Sequence, residues 1–191
     1  HLGLEDARRR QAQEQVGPVD HVAQSPAAAR IGLGEGPLGR VEVGAALVHC
    51  PTSNTFIGSG LFDMAGLVAD GHRVGLATDT GGGSSFSMLR TMAAAYEIGQ
   101  LRGNPLHPAH LLWLATVGSA ETLCVGDRIG NLEVGKEADL IVIDLSSTRE
   151  IAQRSARASD FWEAVFPTIM MGDDRAVRAT FVAGREHPRP S

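Results

Sequence analysis

The sequence has few of the features that mark secreted, membrane or nucleic-acid-binding proteins. It contains two cysteines in 191 residues, Cys50 and Cys124, which is too few for a disulfide framework and favours a reducing compartment. Its apolar runs are far shorter than the roughly 20 residues that span a bilayer. Its net charge of −5 has the wrong sign for a surface that binds nucleic acid. These absences predict a cytoplasmic protein with no nucleic-acid or membrane partner.

Aromatic side chains are also scarce, at 5% of the residues, and none precedes Phe56. The first 42 residues instead carry three prolines and several glycines, which interrupt both helices and strands. We therefore expect residues 1–42 to form an irregular segment. The hydrophobic content of the whole chain, 43%, is sufficient for an ordinary buried core, so the remainder is expected to fold.

Short apolar runs alternate with helical patterns after this segment. Residues 45–48 and 73–78 are typical of buried strands, and residues 61–69 have the apolar spacing of a helix. A further helix is expected to begin after a cap at Ser84 or Ser85. This order of strands and helices predicts an α/β fold with a parallel sheet.

The C-terminal part has a different pattern, with a boundary near residue 126. Residues 138–144 are rich in β-branched side chains and predict a strand, and residues 177–183 predict another. Residues 130–135 are typical of a turn, a short strand and a second turn, and residues 161–171 predict a helix. We infer a small β unit that includes this helix.

Asp79 lies where the second predicted strand ends, just before three glycines at 81–83. In a parallel sheet or barrel, the carboxyl end of a strand faces the active-site mouth. A carboxylate there can bind a divalent metal or carry a proton, and glycines let the backbone turn tightly beside a ligand. The pattern alone equally allows a structural role, because Asp also caps turns and helices.

His49 and Cys50 end the first predicted strand, and a loop with Ser53 and Asn54 is expected to follow. His49 is a candidate hydrogen-bonding partner for a substrate or a metal-bound water, or else a structural histidine. Cys50 has no second pair of ligands at metal-binding spacing, so a small buried filler is the simpler interpretation. Ser53 and Asn54 either contact substrate or satisfy backbone groups of the turn.

Several motifs occur together along the chain: HCPTSN at 49–54, GSGLF at 58–62, GLATDTGGG at 75–83, SMLRTM at 87–92 and IGNLEVGKEADL at 129–140. They resemble the guanine deaminases, a branch of the metal-dependent amidohydrolase superfamily. The resemblance extends over about residues 43–187.

The resemblance implies a fold. The chain would be the C-terminal fragment of a (β/α)8 TIM-like barrel, with the last two strands and helices in residues 43–126. Residues 127–191 would be the C-terminal share of a small β domain with a helix. Residues 1–42 match the family poorly and would be an insertion, a divergent segment or an out-of-frame one.

The resemblance also implies a chemistry. The family's metal, usually zinc, is held by a His-x-His pair, two further histidines and an aspartate, and Asp79 matches that aspartate as metal ligand and catalytic proton carrier. Metal-bound water attacks C2 of guanine, which yields xanthine and ammonia. His49, Ser53, Asn54 and Thr80 would lie beside the purine substrate, and the parent enzyme is a candidate homodimer.

One departure from the family bears on this chain directly, because it contains no His-x-His pair. A catalytic zinc needs about three protein ligands, so the fragment is expected to be inactive alone. An isolated barrel remnant would also expose the apolar faces of 45–48 and 74–78. Two alternatives stay open: a relative that acts on another nucleobase or a triazine ring, and a non-catalytic module that binds a partner.

Overall fold

A computed structural model describes residues 46–188, which contain two separate β-sheets. The segment predicted to be irregular, 1–42, lies outside the described residues. Within residues 46–188, no helix is both long and apolar enough to cross a membrane.

The first sheet is a parallel pair of strands, as the sequence predicts. β1 (Leu47–His49) pairs with β2 (Val74–Leu76). Two short helices connect them, α1 (Pro51–Ile57) and α2 (Met64–Ala69). Because the strands are parallel, their carboxyl ends lie at the same edge of the sheet, and the segments that follow them become neighbours.

A series of helices follows β2. These are α3 (Met88–Leu101), α4 (Pro108–Trp113), a π-helical turn (Leu114–Gly118) and α5 (Ser119–Thr122). Together with the parallel strands and a C-terminal helix they enclose one hydrophobic core. Its buried members include Val74, Leu76, Leu89, Met92, Leu111, Leu114, Val165 and Ile169.

The second sheet is antiparallel, with the strand order β3, β4, β5. Its strands are β3 (Leu140–Ile143), β4 (Val177–Val182) and β5 (Arg185–His187). Between β3 and β4 the chain forms α6 (Arg149–Ser155), α7 (Phe161–Met171) and a 3-10 turn (Asp174–Ala176).

The helix α7 has the predicted bounds, and it shares its core with the preceding α/β segment. Val165 and Ile169 lie in the same buried cluster as Leu89 of α3. The rings of Tyr96 and Phe166 also meet edge to face, with centroids 5.0 Å apart. Of the described C-terminal elements, α7 therefore packs with the α/β segment, and the strands β3, β4 and β5 form a separate sheet.

Two predicted helix starts are wrong by a few residues because of the capping side chains. The helix predicted from residue 61 begins at Met64, since Asp63 caps it by accepting a hydrogen bond from the Gly66 backbone N–H at 3.3 Å. α3 is capped by Ser87, whose hydroxyl accepts from the Arg90 N–H at 3.3 Å. Ser85 instead accepts a hydrogen bond from the Ser87 N–H at 3.0 Å, so it lies before the cap.

Two segments differ in type from the prediction. The loop expected after His49 is the helix α1, which Pro51 can start because the first residues of a helix need no intrahelical N–H donor. The short strand predicted within 130–135 is wrong, because that segment forms bends, irregular backbone and a turn, with no strand. Gly130 and Gly135 have positive φ angles of 106° and 99°, which bend the backbone away from an extended course.

Candidate active site at the carboxyl ends of the parallel strands

The register of β1 and β2 places the two candidate segments side by side. His49 lies opposite Leu76, and the Ala77 N–H donates to the His49 carbonyl oxygen at 3.1 Å. The chain leaves β1 into the first turn of α1 and leaves β2 into the turn that carries Asp79. We call residues 49–54 and 78–83 the strand-end cluster.

The Asp79 turn is closed by its own backbone. The carbonyl oxygen of Asp79 accepts hydrogen bonds from the N–H groups of Gly82, at 3.0 Å, and Gly83, at 2.5 Å. Asp79 itself has a positive φ of 49°, which Asp tolerates better than most residues. Its side chain is exposed, so the turn presents a carboxylate to the space beyond the strands.

Gly82 lies between the two halves of the strand-end cluster. A Cβ at Gly82 would lie 3.0 Å from Asp79 Oδ2 and 3.0 Å from Ser53 Oγ. Asp79 Oδ2 and the buried Ser53 Oγ are therefore at most twice that distance apart. Both atoms border the space that a side chain at Gly82 would occupy. The sequence does not reveal this proximity, because Ser53 and Gly82 are distant along the chain.

Threonine hydroxyls tie the two segments together around the carboxylate. Thr52 Oγ1 donates to the Thr78 carbonyl oxygen at 3.4 Å, which joins α1 to the Asp79 turn. Thr80 Oγ1 donates to Thr78 Oγ1 at 3.0 Å, and Thr80 is exposed beside Asp79. Thr80 thus lies next to Asp79 in the turn that follows β2, and its role as a substrate neighbour stays a prediction.

The Cys50 thiol remains protonated in this environment. Burial raises the pKa of Cys50, and the negative charge of Asp79 raises it further. A neutral thiol is a poor nucleophile and a poor metal ligand. The interpretation of Cys50 as a small filler fits this setting.

His49 lies among apolar side chains. The ring is 2% exposed and stacks on Phe62, with centroids 4.7 Å apart and planes 14° apart. Burial lowers the pKa of His49 to about 4, so the ring is neutral at physiological pH. It lines a small cavity of about 30 Å³ together with residues of α2 and α3, among them Met64 and Ile98. This position favours the structural role over contact with a substrate.

The side-chain amide of Asn54 has one group that makes a hydrogen bond and one group that makes none. Its Nδ2 donates to Ser59 Oγ at 3.0 Å, and its backbone carbonyl accepts from the Ser59 N–H at 3.0 Å, so the residue closes the end of α1. Its Oδ1 is buried and has no hydrogen-bonding partner within the described residues. Asn54 therefore supports the turn and retains one free acceptor.

The described residues do not form a metal site on their own. In residues 46–188, no three His, Cys, Asp or Glu side chains are grouped in a way that could hold a metal ion. Asp79 is a single carboxylate, and a catalytic zinc needs about three protein ligands. The donor set within these residues therefore does not fit a complete zinc centre.

Comparison with known proteins decides the family. The sequence model of the amidohydrolase family matches residues 37–186, which is most of the chain. The chain belongs to the amidohydrolase family. Within this family it is similar to the guanine deaminase of Escherichia coli, with 38% identity over 144 residues, 75% of this chain and 33% of that protein. This family member thus spans about a third of the length of the curated relatives it matches.

Solved structures of amidohydrolases have the same fold over the described part. The structure of E. coli guanine deaminase superposes with a TM-score of 0.76 at 36% identity, covering 78% of this chain and 35% of that one. A guanine deaminase from C. acetobutylicum with bound guanine gives 0.63 at 27% identity, covering 75% and 34%. An adenosine deaminase from Xanthomonas campestris with bound zinc gives 0.62 at 29% identity, covering 74% and 31%.

Proposed function

We propose that this chain supplies the part of an active site that contains Asp79, and that this active site hydrolyses guanine to xanthine and ammonia. The observation that carries the proposal is the exposed Asp79 carboxylate at the carboxyl end of β2, next to Ser53 and Thr80. The similarity to guanine deaminases supports guanine as the substrate.

We also propose the architecture in which this site works. β1 and β2 are the last two strands of a (β/α)8 barrel, within residues 43–126, and the sheet of β3, β4 and β5 is the C-terminal share of a small β domain within 127–191. The parallel pairing of β1 with β2 supports the first part, since barrel strands are parallel and their carboxyl ends carry the active site.

Four residues of the strand-end cluster have separate roles in this proposal. Asp79 takes the proton of the attacking water as the C2–O bond forms, and it returns the proton as the C2–N bond breaks and ammonia leaves. The exposed Thr80 hydroxyl contacts polar atoms of the purine, and the buried Ser53 hydroxyl lies beside the Asp79 carboxylate. Asn54, whose Oδ1 is buried, supports the end of α1. Asp79 would also be one ligand of the family's zinc, which would supply a water activated at neutral pH. Residues 46–188 do not by themselves offer the full set of ligands.

A chimera tests the function directly. The region of E. coli guanine deaminase that aligns with this chain over 144 residues is replaced by this chain's matching segment, and ammonia release from guanine is measured. We expect guanine-dependent activity, and we expect Asp79→Asn in the chimera to reduce kcat at least about 100-fold because the proton acceptor is lost. Ser84→Ala, an exposed residue outside the strand-end cluster, is the matched control and should retain activity.

Three outcomes would count against the proposal. A folded chimera that releases ammonia from adenosine but not from guanine would favour a relative with another ring specificity. Full activity of Asp79→Asn would remove Asp79 from the site. A folded, zinc-loaded chimera with no activity on any purine or triazine would favour the non-catalytic module.

A further inference from the structure

A larger cavity lies between α3, the loop before α4 and the start of α7, and its volume is about 490 Å³. Six of its lining side chains are aromatic or acidic: Tyr96, His107, Asp160, Trp162, Glu163 and Phe166. None of its lining residues belongs to the strand-end cluster. The volume lies within the range of pockets that bind small molecules.

The aromatic walls of this cavity are held by two edge-to-face pairs. Tyr96 and Phe166 meet at a centroid distance of 5.0 Å with planes 66° apart. His107 and Trp162 meet at 5.7 Å with planes 71° apart. Such pairs fix the orientation of the rings, and the faces of Tyr and Trp attract cations.

The Asp, Glu, Lys and Arg side chains that line this cavity are all acidic. Asp160 and Glu163 line it, and no Lys or Arg does. Asp160 Oδ1 accepts from the Glu163 N–H at 2.8 Å, and Glu163 Oε2 accepts from the N–H and hydroxyl of Ser159 at 2.8 and 2.7 Å. Within the described part of the chain, the second oxygen of each carboxylate makes no hydrogen bond. The bonds from Ser159 lower the pKa of Glu163, which keeps the carboxylate ionised.

Helix capping explains these two carboxylates only in part. Asp160 is the N-cap of α7 and Glu163 lies in its first turn, where acids stabilise a helix. Capping uses one oxygen of each group, and it does not account for the aromatic walls or for the absence of basic side chains around them.

We propose that this cavity binds a small organic cation, an alkylammonium or guanidinium compound. Its charged group would lie over the rings of Trp162 and Tyr96, and its N–H groups would donate to the free oxygens of Asp160 and Glu163. The proposal goes beyond deamination and shares no residue with it, so the two can fail separately.

Fluorescence of the full 191-residue chain tests the proposal. Trp113 and Trp162 are its two tryptophans, so a Trp113→Phe background makes Trp162 the sole reporter. We expect saturable quenching by 2-phenylethylamine, with a Kd of about 1 mM or below, and binding of the uncharged 2-phenylethanol at least about tenfold weaker, because only the amine carries the cation.

The charge is removed with the double variant Asp160→Asn, Glu163→Gln. Asn caps helices as well as Asp does, and Gln can replace Glu in the first turn, so the Tm should stay within a few degrees. Affinity for the amine should fall at least tenfold. The proposal is overturned by no saturable quenching, by equal binding of the alcohol, or by unchanged affinity in the double variant. Binding of a capped Ala-Gln-Ala peptide as tight as that of capped Ala-Arg-Ala would also overturn it, because the Gln peptide carries no cation.

Discussion

Gly83 occupies a place in the Asp79 turn where no side chain fits. A Cβ there would lie 2.1 Å from the carbonyl oxygen of Thr78 and 3.1 Å from that of Asp79. Both are backbone atoms, so the turn has to open before residue 83 can carry a side chain. The position of the Asp79 carboxylate therefore depends on this glycine.

Gly83→Ala should lower the free energy of unfolding by about 2 kcal/mol or more, because the clash is with backbone. Urea unfolding measures the loss. Gly58→Ala is the matched control, since Gly58 has a left-handed φ of 68° but a Cβ added there would meet no atom within 4 Å, and strain alone costs about 1 kcal/mol at such a position. Equal losses in the two variants would contradict the clash.

His49 makes stability depend on pH. Its pKa is about 4 in the folded chain and 6.5 in the unfolded reference, so between these values the unfolded chain binds more protons. Stability should therefore be constant above about pH 6.5 and fall as the pH drops, by about 3 kcal/mol in total once the pH is below 4.

Urea unfolding at intervals from pH 7 to pH 4 measures this slope. His49→Gln should flatten the curve, although it leaves the smaller contribution of His110, whose pKa burial also lowers. The other titratable groups are the same in both proteins, so the difference between the two curves isolates His49. Parallel curves would mean that the ring is already solvated.

At the scale of elements, Ser119 connects the helical layer to the free edge of β2. Its hydroxyl accepts from the Leu76 N–H at 3.1 Å and lies 3.0 Å from the Leu76 carbonyl oxygen and 2.7 Å from that of Leu114. The π-helical turn before it brings Ser119 to this edge, because a π turn adds one residue to the helical repeat.

Ser119→Ala should destabilise the chain by about 1–3 kcal/mol, since it leaves the Leu76 N–H without its partner. Thr116→Ala is the control, because the Thr116 hydroxyl donates only to the Leu112 carbonyl within its own helix, at 2.6 Å, and the residue is exposed. Thermal unfolding of both variants gives the comparison. A Thr116 variant that loses as much stability as the Ser119 variant would show that the strand edge is not the source.

Elements with strong local signals could be predicted from the sequence. α7 has its predicted bounds because Asp160 caps it and Gly172 ends it, and β3 and β4 lie within their β-branched runs. α6 was not predicted: its apolar pattern is short, and its cap, Thr148, is recognised only from the 3.3 Å hydrogen bond with the Ile151 N–H. Local spacing does not encode such contacts.

The candidate site likewise has features that can be predicted from the sequence and features that depend on tertiary contacts. The position of Asp79 at the end of a buried strand follows from the sequence, and the structure has it there. The sequence does not reveal on which face of β1 the His49 ring lies. That depends on the contact with Phe62 and on the helices behind it. The approach of Ser53 to Gly82 depends on the register of two strands and is likewise tertiary information.

At the scale of the whole molecule, the lack of a His-x-His pair anywhere in the sequence, together with the lack of a three-ligand group within residues 46–188, leads to a biochemical expectation. The 191-residue chain, purified with zinc and then dialysed, should retain almost no zinc and release almost no ammonia from guanine. Elemental analysis and a coupled ammonia assay check both, with zinc-loaded E. coli guanine deaminase as the positive control. Stoichiometric zinc removable by EDTA would overturn the expectation.

The expected exposure of both parallel strands is wrong for β2 and holds for part of β1. Val74 and Leu76 are each 3% exposed because α2, α5 and the π-helical turn pack against β2, whereas Val48 is 41% exposed. The helices of the described residues therefore bury β2, which was expected from the sequence to be exposed.

The outer strand of the second sheet sets a practical limit on handling the protein. Within the described residues β3 is one of the two edge strands of this sheet, and it carries Ile141 and Val142 at 51% and 45% exposure. Unpaired N–H and C=O groups beside apolar side chains recruit strands from other molecules. Turbidity at a fixed temperature should therefore rise with protein concentration, and Val142→Lys should delay it, while the exposed Val182→Lys on the central strand should not. Because this association requires two molecules to meet, storage as a dilute solution keeps the exposed strand edges of separate copies apart.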